Sequence, residues 1–485
     1  MIRRWFYCIL FIVTCLIANG QRLRHANSHL EKFANLPELK SSSISICFRN
    51  VKTGKIVASL DEDRRLIPAS TIKLVTTATV LSAAGENYRY HTQFSLRGVK
   101  KADSTFEGNI EIRGSGDPSF GSGSFVATPR VEQIADTLSI LLRNEGIAKI
   151  NGSILIDHSL ITDVPENPEW LYYDIANYYG AGVFGFNVLE NTAYISLEKE
   201  DQGQACRITN IYPAEMSAHF RNNVLVSTSS TEEAGLYFLG TSLCETLMLN
   251  GTLGVKDKVN LIVKSAIPDP SGIYSQMLRS QLFTRGIRME EINNFSSLPD
   301  SGKVILDHRS ELLSSLIAYA LKNSVNLYCE AFIHLIGAVW NGSTNRQNSL
   351  NRVKEYWYSK LGDNPDFKIV DGSGLSRKNL FTTSEISQIL YIIQEEGKPA
   401  GFERLLYDLS ENGFVSSPLQ KRKSLRNKWN GKTGSMEGVR ALAGYVYRED
   451  NPKYTFSIII NNYHCSGKII NEKLASLIYE LDRIL

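Results

Sequence analysis

Strand-like stretches near both ends of this 485-residue chain constrain its fold most, because the sequence between them has a different texture. Ser43 to Phe48 alternates polar and apolar residues, as does Lys55 to Leu60, and the turn Val51-Lys52-Thr53-Gly54 joins them as in a β-hairpin. Near the other end, Ala441–Tyr447 and Tyr454–Asn461 again read as strands, and an amphipathic helix follows from Ile469 to Leu485. Between about Tyr90 and Pro268, short alternating strands such as Asn109–Arg113 and Ser153–Asp157 are parted by Gly- and Asn-rich turns. One clear helix in that stretch, Val131–Asn144, is stopped at Gly146. Helical patterns return at Tyr274–Phe283, Leu312–Leu321 and Leu327–Ile336. Terminal segments that close one sheet around a β-rich insertion make a discontinuous domain, and the length suits two or three units. The expected division is 21–94 and 268–485 for the outer domain and 95–267 for the insertion.

The first twenty residues set the compartment. Arg3 and Arg4 precede the apolar stretch Trp5–Ala18, and Asn19-Gly20-Gln21 follows, the tripartite pattern of a secretory signal cut near Gly20. The stretch is shorter than the roughly 20 residues of a spanning helix, which disfavours an uncleaved anchor. Thr14 is a poor residue before a lipid-accepting Cys15. No other segment is apolar enough to cross a bilayer, so an exported protein, periplasmic or wall-associated, with no span after cleavage is expected. The formal charge is +3, and the leader holds two of the positive charges. Near-neutrality of the rest argues against nucleic acid as a partner. Five cysteines follow the leader: Cys47, Cys206, Cys244, Cys329 and Cys465. They show no metal-ligand spacing and H-E-x-x-H is absent, so neither metal nor cofactor is expected. Cys206 and Cys244 are the only pair in the insertion and the candidates for a disulfide, against the alternative of two buried free thiols.

Three short motifs stand in order: Ser70-Thr71-Ile72-Lys73, Ser324-Val325-Asn326 and Lys432-Thr433-Gly434-Ser435. Singly each is weak. A second S-x-x-K begins at Ser196, a second K-T-G at Lys52, and further S-x-N triplets at Ser343, Ser349 and Ser410. Context separates them. Pro68-Ala69-Ser70 opens a helix whose apolar positions are Leu74, Ala78 and Leu81 and whose cap is Gly85, so Lys73 faces the same side as Ser70, one turn on. Ser324 lies in a short break between two helical patterns, and Lys432 precedes the two C-terminal β-runs. The bland reading makes Ser70 a helix cap and Lys73 a solvated surface residue. Scattered histidines and the absence of a G-x-S-x-G elbow disfavour a Ser-His-Asp hydrolase.

With these motifs the sequence resembles the penicillin-binding protein and serine β-lactamase superfamily. More narrowly it resembles the D-Ala-D-Ala carboxypeptidase/endopeptidase family, the class C low-molecular-mass penicillin-binding proteins. The gap of 254 residues between Ser70 and Ser324 suits that family's large insertion, as do Gly116-Asp117-Pro118-Ser119 and Asp371-Gly372-Ser373-Gly374-Leu375-Ser376-Arg377. Val325 departs from the family's usual Asp. The resemblance implies an α+β fold, an antiparallel sheet flanked by helices. It also implies cleavage of peptidoglycan stem peptides through an acyl-enzyme on Ser70, with β-lactams as inhibitors.

On that reading Lys73 is the base, which it can be only when neutral; desolvation and a like charge from Lys432 favour that form. Ser324 relays the proton to the leaving nitrogen, and Asn326 holds the substrate amide. Lys432, Thr433 and Ser435 bind the terminal carboxylate, and the backbone N–H groups of Ser70 and Ser435 form the oxyanion hole. Asp174 and Arg377 match residues proposed to recognise a diaminopimelate side chain, the bland readings being a loop cap and a structural salt bridge. Gly116–Ser119 reads better as a structural turn, and Tyr178 and Tyr179 as core or interface aromatics. The rival functions are a serine β-lactamase and a catalytically silent wall-binding protein.

Overall fold

A computed structural model describes residues 24–485 except 127, 229–234, 255, 256, 258, 293–298, 300, 363, 364 and 398, so the expected leader lies outside the described residues. The chain divides into two compact units. The first comprises the stretch to Ser82, then Ile317–Ser324 and Leu350–Leu485; the second comprises Ala83–Leu316 and Val325–Ser349.

The first unit is built on a six-stranded antiparallel sheet. Its order runs Tyr407–Asp408, Trp429–Met436, Val439–Arg448, Asn451–Asn461, Ser43–Asn50, Ile56–Leu60. The hairpin near the start of the chain pairs in register with the strand near its end, from Ser43 opposite Asn461 to Asn50 opposite Tyr454. Alternation decides which helix each face receives. Ile46, Phe48, Phe456, Ile458 and Ile460 share a core with the helical residues 24–34 and with the last helix, Gly467–Ile484, through Ala26, Leu30, Leu474 and Ile478. The other face carries Ser45, Cys47 and Thr455 and meets the helix Thr383–Glu396: Ser45 Oγ lies 2.7 Å from Thr383 Oγ1, and Thr455 Oγ1 donates to the Ser387 carbonyl at 2.9 Å. Small polar side chains such as Ser45 and Thr455 are tolerated there because they find partners on that helix. The K-T-G at Lys52 is the hairpin turn itself, with Asn50 Oδ1 accepting the N–H groups of Lys52 and Thr53.

In the second unit His91–Lys100 and Thr105–Arg113 pair antiparallel at the centre of a mixed sheet, joined by Lys149–Asn151, Ile154–Asp157, Arg288–Glu290 and Lys303–Arg309. The helices Val131–Asn144 and Pro270–Thr284 share its core through Ile134, Leu138, Tyr274 and Leu278. A second sheet pairs Asn260–Ala266, Thr192–Glu198 and Arg207–Tyr212 antiparallel. Because Lys303–Arg309 pairs with His91–Lys100, the chain stays in this unit well past the change of texture at Pro268.

The suggested disulfide is corrected by the structure: Cys206 and Cys244 are both free thiols. Cys206 is held in the core, its N–H bonded to the Val224 carbonyl at 2.9 Å and its carbonyl to Asn222 Nδ2 at 2.6 Å. Cys244 sits in a turn with its sulfur 3.6 Å from Thr241 Oγ1. A bridge would require the two Cβ atoms to meet within about 4 Å, and neither side chain is so committed. Peptide mapping of non-reduced protein should find both thiols alkylatable and unlinked; recovery of a Cys206–Cys244 cross-linked peptide would contradict the arrangement.

Candidate active site

Ser70 lies inside the 3-10 turn Ala69–Ile72, and Lys73 begins the helix that continues to Ala84. Neither bland reading survives: Pro68 occupies the cap position, and Lys73 is completely buried. The three-residue spacing places Lys73 Nζ 3.0 Å from Ser70 Oγ, within reach of proton transfer. Ala69, just before the serine, has φ +45°, a left-handed conformation that a side chain disfavours and that the surroundings must hold.

Lys73 also donates to the Ser373 carbonyl at 2.5 Å. That carbonyl belongs to a loop organised by the buried Asp371, whose carboxylate accepts from Gly374 N at 2.8 Å, Ser376 N at 2.6 Å and Asn379 Nδ2 at 2.7 Å. Thr76 Oγ1 fastens the same loop through the Gly372 carbonyl at 2.7 Å. Gly374 has φ +81°, and a Cβ there would lie 2.1 Å from the Ala69 carbonyl oxygen, so only glycine lets the loop close on the serine turn.

Lys432 is buried on the strand Trp429–Met436 and donates from Nζ to Ser324 Oγ at 2.9 Å and to the Thr433 carbonyl at 2.7 Å. Ser324 has φ +56° in the break between the helices Leu313–Asn323 and Asn326–Asn341. Gly434 brings the strand against the serine turn: a Cβ there would stand 2.9 Å from both the Ser70 nitrogen and the Pro68 carbonyl oxygen. Ser435 is the next residue on the strand, opposite Arg440 and exposed.

The first unit therefore holds Ser70, Lys73, Ser324, Lys432, Thr433 and Ser435, with two Lys–Ser contacts among them. Asn326 opens a helix assigned to the second unit and donates from Nδ2 to the Tyr179 carbonyl at 2.7 Å. Val325 packs against Ile161, Val183, Leu327 and Ala331, which gives the departure from Asp an apolar setting of its own. Asp174, also in the second unit, accepts the Tyr179 hydroxyl at 3.2 Å, and that hydroxyl's pKa is pushed up first by burial and then by the carboxylate. Arg377, in the first unit, donates to the Glu437 carbonyl at 3.2 Å and is 40% exposed. Asp117 is a buried turn-former whose Oδ1 accepts from Ser119 N at 2.8 Å and Oγ at 2.7 Å; burial raises its pKa to about 6. The Ser373 carbonyl is the contact that sequence reasoning missed. A peptide oxygen has no residue identity, and only the D-G-S-G glycines hinted at a close approach. Among the described residues no group of three or more His, Cys, Asp or Glu is placed to hold a metal.

The model of the D-Ala-D-Ala carboxypeptidase 3 (S13) family matches residues 26–480. The chain belongs to this family. Membership makes it a D-Ala-D-Ala carboxypeptidase, a hydrolase of the penicillin-binding protein and β-lactamase superfamily. It is 24% identical over 483 residues to a D-alanyl-D-alanine carboxypeptidase, DacB, of Haemophilus influenzae, covering 95% of each chain. It is 22% identical to a D-alanyl-D-alanine carboxypeptidase of Actinomadura, covering 92% of this chain and 82% of that one. Among solved structures, penicillin binding protein 4 of Haemophilus influenzae superimposes with a TM-score of 0.79 at 21% identity, over 93% of this chain and 98% of that one. The same protein complexed with a β-lactam gives a TM-score of 0.74. The α+β fold with antiparallel sheets and helices is that of this relative.

Gly434→Ala should slow labelling by a fluorescent penicillin about 10- to 100-fold, short of the 10²–10³ that loss of a whole oxyanion donor costs. The thermal midpoint should fall by only a few degrees. Labelling at the parental rate would show that the strand and the serine turn need not meet so closely.

Proposed function

We propose that the chain is an exported serine DD-peptidase that acylates itself on Ser70 with stem peptides ending in D-Ala-D-Ala and then hydrolyses the ester. The pair of Lys–Ser contacts carries the reading: Lys73 Nζ at 3.0 Å from Ser70 Oγ and Lys432 Nζ at 2.9 Å from Ser324 Oγ. Neutral Lys73 takes the Ser70 proton as Oγ attacks the penultimate D-Ala carbonyl. The oxyanion is received by the backbone N–H groups of Ser70 and Ser435. Ser324 hands a proton to the departing nitrogen, the C–N bond breaks, and terminal D-alanine leaves. Water then attacks the ester by the reverse proton path and frees Ser70. Asn326 holds the substrate amide, and Lys432, Thr433 and Ser435 hold the free carboxylate. β-Lactams would be inhibitors because they acylate the same serine, and the wall outside the membrane would be the working place, reached through the leader at 1–20.

A β-lactamase would share the two Lys–Ser contacts and differ in fast deacylation, so continuous nitrocefin turnover distinguishes it. A silent wall-binding protein would release no D-alanine from a pentapeptide. Labelled penicillin should attach to Ser70 and be lost in Ser70→Ala with the melting temperature unchanged. Lys73→Ala should slow acylation by about 10²–10⁴-fold, the range for a general base. Covalent label on Ser70→Ala protein would end the assignment.

Asp174 and Arg377 are proposed to read the diaminopimelate side chain before D-alanine, one meeting its ammonium and the other its carboxylate. Asp174→Asn and Arg377→Ala should each cost about 1.5–3 kcal/mol in kcat/KM on diaminopimelate peptides, the value of a charged hydrogen bond. Diacetyl-Lys-D-Ala-D-Ala should be cleaved nearly as before. Equal losses on both substrates would mean that the two residues support the fold.

A further inference from the structure

Thr433, the residue proposed to donate to the substrate's terminal carboxylate, is itself held by the side chain of Tyr407. Among the described residues, the edge strand Tyr407–Asp408 pairs with Gly431 and Asn430. The Thr433 N–H lies beyond the last of these pairs, and Tyr407 Oη accepts it at 3.2 Å. The same oxygen stands 3.1 Å from Thr433 Oγ1. The phenol is buried, and burial raises its pKa, so it keeps its proton. Gly413 leaves room for this arrangement: a Cβ there would lie 2.5 Å from Thr433 Cγ2 and 2.8 Å from Oγ1.

Proton counting gives the two oxygens their roles. A tyrosine hydroxyl has one hydrogen to donate, and here one of its lone pairs is already taken by the Thr433 N–H. If Thr433 donated to Tyr407, its hydroxyl would turn a lone pair toward the incoming carboxylate, and acceptor would face acceptor. If Tyr407 donates to Thr433, the threonine proton is free to point at the ligand. We infer that Tyr407 is a positioning residue that orders the chain Tyr407 O–H → Thr433 O–H → carboxylate and so enforces the demand for a free C-terminus. This rests on the reading of Thr433 given above. Chains of this kind polarise one another, so the terminal bond is stronger than that of an isolated threonine.

The test compares D-Ala-D-Ala peptides ending in a free carboxylate with the same peptides ending in an amide. Tyr407→Phe keeps the ring and removes the oxygen. KM for the carboxylate substrate should rise about 10-fold, the worth of one hydrogen bond, with kcat within about threefold. The preference for carboxylate over amide should fall by the same factor. In a Thr433→Val background, Tyr407→Phe should change the preference no further. Site-specific 3-fluorotyrosine at 407 keeps the shape and sharpens the donor, so it should raise the preference; this arm serves even if the phenylalanine variant folds poorly. Equal losses on both substrates, or an unchanged preference in both variants, would overturn the inference. Parent protein that cleaves neither peptide and takes no penicillin would instead overturn the proposed function.

Discussion

At Gly434 the strand carrying Lys432 runs so close to the turn carrying Ser70 that a single methyl group would sit 2.9 Å from the serine's own nitrogen. Gly374 repeats the device on the other side of the turn, where a methyl group would sit 2.1 Å from the Ala69 carbonyl. The serine turn is thus clasped between two stretches of bare backbone, and its left-handed Ala69 is held by that enclosure. Remove the glycines and the peptide groups could not approach. On the proposed reading, in which the Ser70 N–H receives the oxyanion, a donor fixed in advance costs no reorganisation when charge develops on the substrate oxygen, which is where such sites gain most of their rate.

Two lysines buried in one unit pose an electrostatic problem, since an unpaired buried charge is expensive. Peptide carbonyls answer part of it: Ser373 for Lys73 and Thr433 for Lys432. A carbonyl satisfies an amine N–H in either protonation state of the nitrogen. That tolerance suits the proposed role of Lys73 as a base that loses and regains a proton in each turnover.

Elements with one wet face were easy to read in the sequence. The helix Val131–Asn144 shows its apolar stripe and ends at the residue expected. The helix Thr383–Glu396 was legible by the same rule, with Ile386, Ile389, Leu390 and Ile393 at helical spacing and a Thr382–Glu385 capping box, though it is not among the helices expected above. Lys432 was expected ahead of the strands and instead lies within one, since Gly-Lys-Thr-Gly-Ser has little of the β-branched and aromatic character that marks a strand. Side-chain partners such as Ser70 with Lys73 follow from helical spacing. Ser373 and Tyr407 do not, because one acts through its backbone and the other sits on a strand of two residues with no pattern to detect.

The antiparallel pairing of Ser43–Asn50 with Asn451–Asn461 has a consequence in time. At about 5–20 residues per second, the N-terminal hairpin is synthesised roughly 20–80 s before its neighbour exists. Throughout that interval its edge is unpaired, and for all but the last few seconds Lys432 has not yet been made. The hydrolase is in this sense latched by its own topology: no nascent or truncated chain ending before the last sheet strands can assemble the surroundings of Ser70 described above. The cost is a sticky edge that stays open until its partner strand is made.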